Sequence, residues 1–197
     1  MQQGPGPRPF DVSASYPIEF DPAGWLDWLG LPVEGPIQSI ESDVGTVLAE
    51  VDKVLRVEAP DPWLAHIELQ ASHDPDLPLR LLVYHALLLR RHKIRVETTV
   101  VLLRPAADGP ELNGHLQHPG IIHEVTAALH YRIIRLWQIP AEELLNGGMS
   151  VAMLAPLGRV QLADVPEVMR RMDARAREEV PLSRRDDLRT ATRFLLG

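Results

Sequence analysis

The chain has 197 residues, 45% hydrophobic and 24% charged, which suits an ordinary globular domain with a core of its own. A formal charge of −7 argues against a strongly basic protein that coats nucleic acid, and the lack of cysteine excludes disulfide scaffolds, thiolate metal centres and cysteine nucleophiles. Spanning a bilayer takes roughly 20 apolar residues, and the longest run here, Leu81 to Leu89, is broken by His85 and bounded by Arg80 and Arg90.

Residues 1–15 hold Gln, Gly, Pro and Ser without an apolar segment, so a disordered lead is expected rather than a secretory signal, and cytoplasm is the expected compartment. Asp21-Pro22 marks a helix start, because Asp caps the first turn and Pro fits where no amide is needed. Trp25, Trp28 and Leu29 share a face of that helix, and Gly30 ends it. Val44 to Val57 is rich in β-branched residues, with a strand expected from about Glu50 to Val57. Ala59-Pro60-Asp61-Pro62 is turn chemistry, and Leu64 to Gln70 is the returning strand.

Asp76 and Pro78 then open a helix to His92 that is apolar on most sides, and burial on most sides is expected. Val96 to Leu103 is a continuous apolar run, which predicts a central strand. Ala107 to Gly120 reads as a loop or hairpin, and Thr126 to Ile139 as one or two strands. A short helix follows Pro140 and stops at Gly147-Gly148. Asp164 with Pro166, and Ser183 with Asp186, start two tail helices. The order predicts an α/β fold, a mixed sheet flanked by helices, with a core over 16–158 and a helical C-terminal extension over 159–197.

Charge is partitioned along this order. Residues 1–79 hold 3 basic and 14 acidic side chains, whereas 80–104 hold 6 basic and 1 acidic. Within the acidic part, Glu68 and Gln70 share a strand face because side chains alternate. A turn centred on Asp61 sets Asp52 opposite Gln70 and Val54 opposite Glu68, which gathers Asp52, Glu68 and Gln70 into one polar cluster. Two readings of it stand. Carboxylates often line a solvated strand face. Alternatively, Asp52 and Glu68 hold Mg²⁺ (or Mn²⁺ or Ca²⁺), which favours carboxylate oxygens and can drive phosphodiester hydrolysis. The apolar neighbours Val51, Leu55, Ile67 and Leu69 favour the second, since buried carboxylates are costly unless paired or metal-bound.

The runs Val51-Asp52-Lys53-Val54-Leu55-Arg56-Val57, Ile67-Glu68-Leu69-Gln70-Ala71-Ser72 and Leu77 to Tyr84 resemble the recombination-promoting nuclease or putative transposase family, part of the PD-(D/E)XK nuclease superfamily. Tyr131 to Leu145 is similar to these proteins as well, and the resemblance covers roughly 20–157. It implies a restriction-endonuclease-like fold and a metal-dependent DNA endonuclease with Asp52 and Glu68 as metal ligands. Gln70 takes the catalytic position held by lysine in most of the superfamily, where an amide can orient water but stabilises charge less. A homodimer is a further expectation of the resemblance. The alternative is a catalytically inactive nuclease fold kept as a binding or assembly module.

Arg80 and Tyr84 are four apart on one helix face. They either contact substrate phosphate or serve the structure, Arg80 pairing with a sheet carboxylate and Tyr84 joining the core. Arg90, Arg91 and Lys93, with His92, suit the helix C-terminus through its dipole and are also candidates for DNA backbone contact. His115, His118 and His123 offer metal-binding side chains without a carboxylate at ligand spacing, which makes a zinc site unexpected. Glu41 and Asp43 could add a carboxylate to the site or simply line a solvated loop, and Arg170, Arg171, Arg175 and Arg177 read as a solvated helix face.

Overall fold

The computed structural model describes residues 16–40, 52–185 and 190. The expected disordered lead, Glu41 and Asp43, the start of the strand at Glu50 and most of the last helix lie outside the described residues. In chain order the elements are helix α1 (Pro22–Trp28), strands β1 (Ile37–Ile40), β2 (Asp52–Val57) and β3 (Trp63–Gln70), helix α2 (Leu77–His92), strands β4 (Arg95–Leu102), β5 (His115–His118), β6 (Ala127–His130) and β7 (Arg132–Arg135), and helices α3 (Ala141–Asn146), α4 (Met149–Ala152) and α5 (Val165–Glu179). No described helix is long and apolar enough to cross a membrane.

Two compact units result. Glu34–Arg135 forms one, and the described residues up to Val33 join those from Leu136 onward in the other. Residues 136–158 thus fall with α5, whereas the sequence groups them with the sheet.

The first unit carries a five-stranded mixed sheet in the order β1-β2-β3-β4-β7. β1, β2 and β3 are antiparallel neighbours, and β3, β4 and β7 run parallel. This is the mixed α/β sheet the sequence predicts, and the run from Thr126 to Ile139 resolves into two strands belonging to different sheets. Every residue of β3 except Gln70 is buried, which explains its near-continuous apolar character.

Helix α2 lies on the face of β3 that bears the even-numbered residues. Arg80 meets Glu68, the Tyr84 ring stands edge-on to His66 at 6.1 Å, and Leu88 packs with Leu64 and Val54. Four helical residues advance about 6 Å and two strand residues about 6.6 Å, so α2 steps back along β3 with matched spacing. Leu77, Pro78 and Leu81 are buried beside that stripe, and the remaining side of the helix is not covered. Leu79 is 51% exposed, Val83 49% and Leu89 41%, which corrects the expectation of burial on most sides: α2 packs against β4 and β5, and the side turned away from them stays in solvent whatever its composition.

In the second unit Asp21 caps α1 as expected, its Oδ1 accepting from the Gly24 amide at 2.9 Å, while Trp25, Leu26 and Leu29 are buried. Gly30 ends the helix at φ +65°, a conformation natural to glycine. Val168, Met172 and Ala176 of α5, each four residues apart, form its buried stripe. The opposite side of α5 is more than a solvated face. Arg171 forks onto Glu142 of α3, and Arg175 donates to the Leu145 and Gly147 carbonyls, satisfying acceptors that the end of α3 leaves free.

Candidate active site

The site grows from the antiparallel pairing of β2 with β3. Backbone register places Asp52 opposite Glu68 and Val57 opposite Trp63. This corrects the expected pairing of Asp52 with Gln70. The loop between the strands is 58–62, so its centre is Pro60 rather than Asp61, and pairing shifts by two residues. An even shift preserves the face, so Asp52 and Glu68 occupy facing positions of one ladder.

Glu68 is 1% exposed, and its charge is met from α2. Arg80 Nη2 donates to Glu68 Oε1 at 2.7 Å and reaches Gln70 Oε1 at 3.4 Å, while Nη1 donates to Asp74 Oδ2 at 2.5 Å. Asp74 in turn accepts the Asp76 amide at 2.9 Å, tying the start of α2 to the same network. Gln70 Nε2 donates to the Ser72 carbonyl at 2.7 Å, which orients the amide. Glu68 Oε2 is buried and has no hydrogen-bond partner among the described residues. A buried carboxylate oxygen left without a donor suits a cation, and the facing position in the ladder is Asp52. Among the described residues no three His, Asp or Glu side chains gather into a metal group.

Of the other expected substrate contacts, Tyr84 is buried against His66, and Arg80 is engaged with the sheet carboxylate. Arg90, Arg91 and Lys93 sit at the far end of α2, about 15 Å along the helix from Arg80 at 1.5 Å per residue. Lys93 ends the helix at φ +56°, and the neighbouring Arg95 pairs with Asp61 of the hairpin loop. The structure therefore joins Glu68, Gln70 and Arg80 and leaves the basic cluster apart from them.

Sequence reasoning missed the rim of this site. Gln70, Leu102 and Arg135 are in register at the carboxyl ends of the parallel strands β3, β4 and β7, the end where open α/β sheets receive ligands. There His73 Nε2 meets Glu111 Oε1 at 2.7 Å. Asp108 accepts a forked pair from Arg135 at 2.7 and 2.9 Å, and these bonds hold its carboxyl below the usual range and raise the guanidinium. Burial pushes the Tyr131 hydroxyl upward. His73 and Glu111 are separated by 38 residues, so no local pattern announces them.

Compared with family models, curated proteins and solved structures, the chain matches none.

Proposed function

We propose that the chain is a divalent-metal-dependent DNA endonuclease of the recombination-promoting, transposase-like kind. The observation that carries this is Glu68, a fully buried carboxylate with one oxygen unpartnered among the described residues and an aspartate at the facing ladder position. Asp52 and Glu68 would hold the ion, which when bound supplies Lewis-acid stabilisation of charge developing on phosphoryl oxygens. Arg80 is a positioning residue: anchored by Asp74, it fixes the Glu68 and Gln70 side chains and sets a positive charge beside the site. Gln70, oriented through Ser72, offers its amide to align an attacking water. DNA is the proposed partner, met in the cytoplasm by a homodimer. A nicking assay on supercoiled plasmid with Mg²⁺ or Mn²⁺ tests the reading. Loss of nicking in Asp52→Asn and Glu68→Gln is expected, and undiminished nicking in both would overturn it.

Two features favour a second reading, a nuclease fold kept as a binding module. Arg80 already occupies Glu68 Oε1, and Gln70 stands where most of the superfamily has lysine. Calorimetry separates the two: DNA binding without Mg²⁺ binding at millimolar concentration indicates the module.

A further inference from the structure

We propose a second metal site, distinct from Glu68, at the base of the β5–β6 hairpin, where His115 and His130 together take a divalent transition ion such as Zn²⁺. Strand pairing sets these histidines directly opposite each other, although 14 residues separate them in the chain. Their rings are stacked, with centroids 6.4 Å apart and planes inclined by 29°. Both side chains are exposed, so an ion can reach them from solvent.

The ladder makes the pair close. The Tyr131 amide donates to the Gly114 carbonyl at 2.9 Å, which marks Gly114 and Tyr131 as a hydrogen-bonded pair. Hydrogen-bonded and non-hydrogen-bonded pairs alternate along an antiparallel ladder, so His115 and His130 form a non-hydrogen-bonded pair, the kind whose side chains approach most closely. Zinc–nitrogen bonds are about 2.0–2.1 Å and a ring nitrogen lies roughly 1.1 Å from its centroid, so one ion shared tetrahedrally sets two rings about 5.2 Å apart. The rings are 6.4 Å apart and stacked, and ring-nitrogen lone pairs lie in the ring plane, so sharing one ion takes a closure of about 1 Å together with a rotation of both exposed side chains about χ1 and χ2 that turns their nitrogens toward it.

Imidazole selects the ion. Neutral ring nitrogens suit zinc, nickel and copper, whereas magnesium prefers carboxylate oxygen, so the two sites call for different metals. No third His, Asp or Glu gathers at the pair among the described residues, so water completes the coordination. The pair sits at the open end of a two-stranded sheet whose β5 strand packs against α2. An ion there closes the loop from Leu116 to Leu129 and orders a hairpin whose tip exposes Ile121 and Ile122. The sequence offers His115, His118 and His123 as a weak set. Pairing replaces the last two with His130, because His118 faces Ala127 across the ladder and His123 lies in the loop.

Zinc titration of the tag-free full chain in millimolar Mg²⁺, followed by calorimetry and by the imidazole NMR signals, tests the site. One zinc per chain is expected, with shifts confined to His115 and His130 and a rise in melting temperature reversed by chelator. His115→Ala and His130→Ala should each weaken binding at least tenfold, while His118→Ala, His123→Ala and the double variant Asp52→Asn/Glu68→Gln retain it. The double variant keeps this site's outcome separate from that of the nuclease reading. Absence of binding up to about 1 mM zinc, or binding retained when both His115 and His130 are replaced by alanine, would overturn the proposal.

Discussion

Replacing Arg80 with alanine strands the Glu68 carboxylate in the interior. Glu68 is 1% exposed, and its Oε1 accepts from Arg80 at 2.7 Å. Two unit charges about 4 Å apart at an effective dielectric near 20 attract by about 4 kcal/mol, much of which desolvation consumes. Loss of one partner leaves the desolvated charge without that attraction. Because Arg80 is itself 29% exposed, we place the loss at about 2–3 kcal/mol, below the roughly 3–5 kcal/mol of a wholly buried pair. In a chain of this size each kcal/mol lowers the melting temperature by about 2–4 °C, so a fall of about 4–12 °C is expected. Scanning calorimetry and urea unfolding measure it. Glu68→Gln removes the charge while keeping the volume, so adding it to Arg80→Ala should recover more than about 1 kcal/mol in a double-mutant cycle. Additive effects of the two substitutions, or a loss below about 0.5 kcal/mol for Arg80→Ala, would refute the view that this guanidinium is what makes a buried Glu68 tolerable.

Four further outcomes follow from the packing and charges. Leu64→Ala, at a site with 0% exposure between Val54 and Leu88, should cost about 2–5 kcal/mol in urea unfolding. Asp21→Ala removes the α1 cap and the Ser150 hydrogen bond and should cost about 0.5–2 kcal/mol, while Asp21→Asn retains most of the stability. Asp108 is depressed by Arg135, so it stabilises the fold above its unfolded pKa of about 4 and loses that contribution as pH falls through its folded value; Asp108→Asn should flatten the acid side of the stability curve. Burial, then the neighbouring His66, lowers His85, so the unfolded chain binds this proton first and stability declines as pH drops below about 6.5 until the folded value is passed; His85→Gln should lessen that decline in pH-dependent unfolding.

What could be read from the residues differs between local and long-range features. Asp21, Pro22 and Gly30 bound α1 through their own backbone chemistry, whereas at α2 only the Pro78 part of the expected Asp76 and Pro78 start operates, since Asp76 makes no side-chain cap. The hairpin is legible because Ala59 to Pro62 can hardly be anything but a turn, yet its register lies two residues from the one its composition suggests. Turn composition locates a loop, while pairing fixes its centre, and that depends on which strand residues find partners. Glu68, Gln70 and Arg80 were suggested by spacing, and the helix-on-strand match of α2 and β3 brought them together. The distance of Arg90, Arg91 and Lys93 from that site was not visible as composition, since a run of charge carries no direction until the helix bearing it is laid on the sheet.

From the residues alone come the main helices and central strands, the Asp21 cap and the Ala59–Pro62 turn, the alternation that sets Glu68 and Gln70 on one face, and a mixed α/β architecture, but not β1. These follow from interactions spanning a few residues, where each side chain acts on its own backbone. Only the tertiary structure decided that Asp52 faces Glu68, that Arg80 rather than a sheet residue meets the buried carboxylate, and that His73 reaches Glu111. It also decided that His115 pairs with His130 and that Leu79, Val83 and Leu89 of an apolar helix stay exposed. Each of these depends on a strand or helix returning from elsewhere in the chain, and the free energy that selects the return is summed over the whole packed unit rather than written at any one position.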